Sequence, residues 1–136
     1  QSLEYFSLPK LLGLAERAWS RQPSWATMAD VGLRDKALEA DWNIFANALG
    51  QRELPRLDYL SGGFSYRLPP PGIKIGDGKL YANTQFPGLS IRYTIDGSDP
   101  DIDSKAYISP VQVDGKVAAC TFSATGMASR SVLIGD

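Results

Sequence analysis

The sequence has no histidine. Ser-His and Cys-His nucleophilic pairs, imidazole proton transfer and His-metal sites are therefore excluded within this chain. A single cysteine, Cys120, rules out an internal disulfide. Charge of one sign is also missing: 14 basic and 15 acidic residues leave a formal net charge of −1, and no stretch of Lys or Arg is dense enough to track phosphates. Nucleic acid is accordingly not an expected partner. No apolar run approaches the roughly 18 residues of a membrane-spanning helix. The chain opens on Gln1-Ser2-Leu3 and not on methionine, which leads us to expect a piece of a longer protein whose targeting segment lies elsewhere.

What is present is the composition of a soluble globular protein, 43% apolar and 21% charged over 136 residues. That length suits one ordinary domain or two small ones. The first sixty residues have helical periodicity. Leu8, Leu11, Leu12, Ala15, Ala18 and Trp19 recur at three- and four-residue spacing after Pro9, with Leu14 off that stripe. This predicts a helix apolar over much of its circumference that ends before Pro23. A second helix is predicted by the stripe Leu38, Trp42, Phe45 and Leu49. It ends at Gly50, or runs on through Gln51-Arg52-Glu53-Leu54 to Pro55 and past it with a kink. Residues 22–35 read as loop with at most a short helical turn.

After Leu60 the pattern changes. Ser61-Gly62-Gly63 signals a hinge, and Pro69-Pro70-Pro71-Gly72 must be extended and then turn. Short alternating runs follow at 79–85, 90–95, 106–108, 116–124 and 130–134, separated by pairs such as Asp77-Gly78, Asp96-Gly97 and Asp114-Gly115. Strands at roughly ten-residue intervals predict an all-β sandwich over 61–136.

Residues 93–103, Tyr-Thr-Ile-Asp-Gly-Ser-Asp-Pro-Asp-Ile-Asp, place Asp96, Asp99, Asp101 and Asp103 in a short span, the only candidate cation loop. An EF-hand needs Gly at its sixth position and Glu at its twelfth. Counting from Asp96 puts Tyr107 in the glutamate slot, and counting from Asp99 puts Ser104 in the glycine slot and Pro110 in the glutamate slot. The template fails in both registers. A structural turn explains more: Gly97 supplies positive φ, Ser98 and Asp99 accept bonds from nearby backbone, and Pro100 stops the strand.

Several segments together resemble a known family. Pro9-Lys10-Leu11-Leu12-Gly13-Leu14-Ala15-Glu16-Arg17-Ala18-Trp19 resembles the last barrel helix of the bacterial β-N-acetylhexosaminidases called chitobiases, of glycoside hydrolase family 20. Asp41 to Asn47 and Gly50 to Leu54 resemble the helix that follows. Tyr66-Arg67-Leu68-Pro69-Pro70-Pro71-Gly72 resembles the entry to the C-terminal immunoglobulin-like domain, and Tyr93 to Pro100 resembles that domain's signature.

The resemblance implies an α+β fragment: residues 1–60 as the helical tail of a (β/α)8 barrel, and 61–136 as a small immunoglobulin-like β-sandwich. It further implies a parent that removes terminal N-acetylglucosamine from chitin oligosaccharides, located in the periplasm or outer membrane. Family members use an adjacent Asp-Glu pair, with the substrate's own acetamide attacking the anomeric carbon, a departure from the two-carboxylate scheme. No Asp-Glu dipeptide occurs here, and barrel sites form at strand ends, not on outer helices. The fragment is expected to be catalytically inert, without cofactor, with the rest of its own barrel as partner.

Within that frame Glu16 and Arg17 read as an ion pair or cap holding their helix in place. Trp19, Trp42 and Phe45 read as helix core, and Cys120 as a small buried hydrophobe. The rival reading is a chitin-binding module, for which Trp25, Tyr66, Tyr81, Tyr93 and Tyr107 are the candidate sugar contacts. The isolated helices are also expected to self-associate, since burying some six side chains of the first helix would contribute roughly 9–18 kcal/mol before ordering costs.

Overall fold

A computed structural model describes residues 3–135. The chain divides into two compact units between Tyr66 and Arg67, six residues beyond the expected boundary. The hydroxyl of buried Tyr66 donates to Asp58 Oδ1 (2.8 Å), which returns this residue to the helical unit.

In the first unit, α1 (Leu3–Ser7) and α2 (Lys10–Trp19) are separate helices. The stripe that begins at Leu8 is broken at Pro9, whose preceding peptide bond is cis. A single 3-10 turn at Ser24–Thr27 precedes α3 (Val31–Ala48). Helix α3 starts earlier than its apolar stripe because Asp30 is its N-cap, its carboxylate accepting from the Leu33 N–H at 2.8 Å. Gly50 does not end the helix. A π turn at Leu49–Glu53 leads directly into α4 (Leu54–Tyr59). The wide turn answers Pro55, which has no N–H to give and whose ring would meet the carbonyl one turn back in a regular α-helix. A 3-10 turn at Leu60–Gly62 closes the helices. Gly63 then takes a φ of +94°, and any Cβ there would stand 2.8 Å from the Asp58 carbonyl oxygen.

The second unit holds seven strands: β1 (Gly72–Gly76), β2 (Lys79–Asn83), β3 (Ser90–Thr94), β4 (Lys105–Ala106), β5 (Val111–Gln112), β6 (Val117–Phe122) and β7 (Val132–Ile134). They pair antiparallel in two sheets, β1-β2-β5 and β4-β3-β6-β7. Strands β1 and β5 were not expected. The run Gly72-Ile73-Lys74-Ile75-Gly76 is hidden behind three prolines, and the β5 pairing is only two residues long.

Both sheets contribute to one core: Leu80 of β2, Ile91 and Tyr93 of β3, Val117 and Ala119 of β6, and Val113 just past β5. This is a small β-sandwich, with inward residues at alternate positions of β3. Every residue of β6 is buried, as suits a strand flanked on both sides by others, and Thr121 carries its hydroxyl to the Pro69 carbonyl.

Candidate functional site

Helix α2 sets Gly13 against α3: a Cβ on Gly13 would lie 3.7 Å from Phe45 Cζ. Arg17, one turn on, places Nη2 3.3 Å from Glu16 Oε1 and 3.8 Å from Asp41 Oδ2. All three side chains are substantially exposed, so each ion pair is worth at most about 1 kcal/mol. The loop between the helices brings in Trp25, whose indole Nε1–H donates to Asp41 Oδ2 at 3.0 Å. Trp42 and Phe45, one turn apart on α3, have ring centroids 5.8 Å apart at 45°. These groups, with Leu38, line a cleft of about 340 Å³ whose surface is almost wholly apolar.

Two of the residues expected in a helix core are not there. Trp19 is 87% exposed and Trp42 is 42% exposed, while Phe45 is half-buried. Their periodicity is real. Within this unit, however, α2 has only one helix face to lean on, and Leu11 and Leu14 also stay exposed. Asp41, which ties Trp25 and Arg17 together, carries no sequence signal beyond lying off the apolar stripe.

On the sandwich the candidate sugar contacts scatter. Tyr93 is buried and meets Tyr107 edge-on at 6.5 Å within the core, and Tyr66 is buried as well. Neither Tyr66 nor Tyr93 can be a sugar platform, and Tyr107 is spent on packing. Alternation on β3 turns Tyr93 inward with Ile91, the choice that sequence alone left open. Tyr81 keeps a half-exposed ring, but the Lys74 ammonium from the adjacent strand lies 5.3 Å from its centroid.

The acidic loop binds itself. Asp96 Oδ1 accepts from the Ser98 N–H (3.0 Å) and hydroxyl (2.6 Å). Asp101 Oδ1 accepts from the N–H groups of Asp103 (3.0 Å) and Ser104 (2.7 Å) and from the Ser104 hydroxyl (2.8 Å). The accepting carboxylates are thus Asp96 and Asp101, where Ser98 and Asp99 were expected; Ser98 acts as the donor. These bonds hold both carboxyls below the usual aspartate range, the serine hydroxyl being the larger cause in each case.

Gly97 turns the chain at φ +78°. Arg92 Nη1 donates to the Ser104 carbonyl (3.1 Å) and fastens the far end of the loop to β3. Among the described residues no three metal-ligating side chains converge, so Asp96, Asp99, Asp101 and Asp103 form no cation cage. Cys120 is buried in β6, and burial pushes its thiol above the ordinary value.

The family model described as the chitobiase/beta-hexosaminidase C-terminal domain matches residues 53–131. The chain is 39% identical over 134 residues to an N,N'-diacetylchitobiase of Vibrio harveyi, covering 85% of this chain and 15% of that protein. It is 31% identical over 140 residues to a beta-hexosaminidase of Vibrio vulnificus, covering 84% of this chain and 16% of that protein. The chain thus spans about one-sixth of the length of these relatives, a share given by the same two alignments. With a match over more than half its residues, the chain belongs to the family of chitobiase/beta-hexosaminidase C-terminal domains.

Proposed function

We propose that this chain is the non-catalytic accessory region of a chitobiase-like β-N-acetylhexosaminidase. In this reading the helical unit completes the outer wall of a (β/α)8 barrel and the seven strands form an immunoglobulin-like sandwich. The parent enzyme removes terminal N-acetylglucosamine from chitin oligosaccharides by the substrate-assisted route, in the periplasm or outer membrane of a bacterium. The names of the two Vibrio relatives support the substrate class. As to location, no helix among the described residues is long and apolar enough to cross a membrane.

One observation carries the accessory role. At about 100° per residue, Leu11, Leu14 and Ala18 fall on one side of α2, and all three are exposed. A monomer leaves few such rows open to water, and a contiguous one is suited to docking. The natural occupant is the barrel of the same enzyme.

Two measurements test this. The chain alone should not hydrolyse a chromogenic β-N-acetylglucosaminide, and turnover would sink the non-catalytic reading. Added to the Vibrio harveyi relative truncated of its matching segment, the chain should raise the melting temperature of that enzyme. An unchanged melting temperature would count against docking.

A further inference from the structure

The acidic loop closes the outer face of the second sheet. Alternation turns Ile91, Tyr93, Val117 and Ala119 into the core, so Arg92, Thr94, Ala118 and Cys120 point away from it. They pair across the sheet as Thr94 with Ala118 and Arg92 with Cys120. An outward residue of a sandwich meets water unless something lies over it, yet Ala118 and Cys120 are 1% and 3% exposed. The segment between β3 and β4 supplies the cover. A Cβ on Gly97 would stand 3.2 Å from Lys116 Cβ and 3.5 Å from Leu133 Cδ1, Pro100 is buried, and the charge of Asp99 acts on the Cys120 thiol.

This cover is stiff in itself and thinly attached. Asp96 and Asp101 spend their carboxylates on Ser98, Asp103 and Ser104 inside the loop. Among the described residues no backbone hydrogen bond joins 96–103 to another element. Two side chains of β3 tie it down: the Thr94 hydroxyl donates to the Ser98 carbonyl, and Arg92 Nη1 donates to the Ser104 carbonyl. The Arg92 Nε–H is buried and has no acceptor among the described residues. A buried donor without a partner carries its full desolvation cost. Lifting the loop lets that N–H reach water, which offsets part of the loss of the two ties.

We propose that residues 96–104 form a strap that lifts from the sheet as a unit, released at the Arg92 latch while the sandwich stays folded. Openings of this kind need less free energy than global unfolding and expose little surface. The device belongs to the sandwich and is independent of what the helical unit docks on.

Cys120, the single cysteine, reports the opening. The full chain is mixed at neutral pH with an aromatic disulfide, whose sulfur–sulfur bond the Cys120 thiolate cleaves, forming a mixed disulfide and releasing one coloured thiolate. Below the unfolding transition, labelling should be slow and nearly independent of urea. Arg92→Met keeps the apolar stem and removes the latch. It should speed labelling about tenfold, the scale of one hydrogen bond to a charged group, with the shallow urea dependence retained. Leu80→Ala takes stability from the closed and opened forms alike and should leave the labelling rate unchanged.

Labelling that rises with urea as steeply as global unfolding would overturn the strap, because Cys120 would then open only with the whole sandwich. So would an Arg92→Met rate equal to that of the wild type, or acceleration by Leu80→Ala in proportion to the stability lost. The urea dependence of the wild type decides the matter even where a variant fails to fold.

Discussion

Replacing Leu11 and Leu14 together with aspartate should convert the chain from a weakly self-associating protein into a strict monomer. The large apolar side chains left open on α1 and α2 include Leu3, Phe6, Leu11 and Leu14, at 82%, 56%, 51% and 66% exposure. Together they amount to about two and a half fully exposed side chains, or about 4–8 kcal/mol per copy if buried. A symmetric pair would gain about twice that, against an association cost of about 4–15 kcal/mol.

This is less than a fully buried six-residue stripe would give, because Leu8, Leu12 and Ala15 are already half-buried in the chain itself. With the cost at the low end of its range, the smaller gain leaves about 4 kcal/mol and self-association in the millimolar range, where about 1.4 kcal/mol is tenfold in affinity. The double substitution removes nearly half of the open surface, about 4–7 kcal/mol per pair, and so weakens association by about a thousandfold or more. Sedimentation equilibrium from about 10 μM to about 1 mM spans the window. A wild-type chain that stays monomeric at the top of that range would refute the reasoning, as would a double variant that associates as strongly as the wild type.

Three further outcomes are expected. Leu80 is fully buried between the sheets, so Leu80→Ala should cost about 2–5 kcal/mol of stability in urea unfolding, and a loss under 1 kcal/mol would mean the core is not where we place it. Asp96 and Asp101 have folded pKa values below the usual aspartate value of 3.8; the stabilisation they give the loop is present above that value and is lost as pH falls through the lower folded pKa. Carboxyl NMR titrations should accordingly place both midpoints below 3.8, and Ser98→Ala should move that of Asp96 back up. The buried thiol of Cys120, its pKa raised by burial, should resist a disulfide reagent at neutral pH in the folded chain and react at once in denaturant; rapid native labelling would place the cysteine at the surface.

Most of the elements were legible in the sequence because their signals are local. The α3 stripe, the alternation of β2, β3, β6 and β7, and the Asp96-Gly97 turn each depend on spacing that a single segment carries. The segments missed lacked such a signal. Strand β1 follows a proline run that reads as a stop, β5 is two residues long, and the first turn of α3, Val31-Gly32-Leu33-Arg34, lies outside the apolar stripe and is set by the Asp30 cap. At Gly50 the sequence left two outcomes open, a helix end or a run past Pro55 with a kink, and the structure takes the second, through a π turn that accommodates Pro55.

The sequence by itself determined that the chain has no imidazole chemistry, that helices precede strands, and that the acidic loop fails the calcium-loop pattern. These are matters of residue inventory and of spacing along one backbone. Tertiary structure decided what faces what. It buried Tyr66 and Tyr93, left Trp19 in solvent, and brought Trp25, sixteen residues from Asp41, into hydrogen-bond contact with it across the helical unit. Periodicity says that a helix has an apolar side, but only the arrangement of neighbours says whether anything covers that side. For α2, Leu11 and Leu14 stay exposed among the described residues, while Gly13, Glu16 and Arg17 of the same helix border the aromatic cleft.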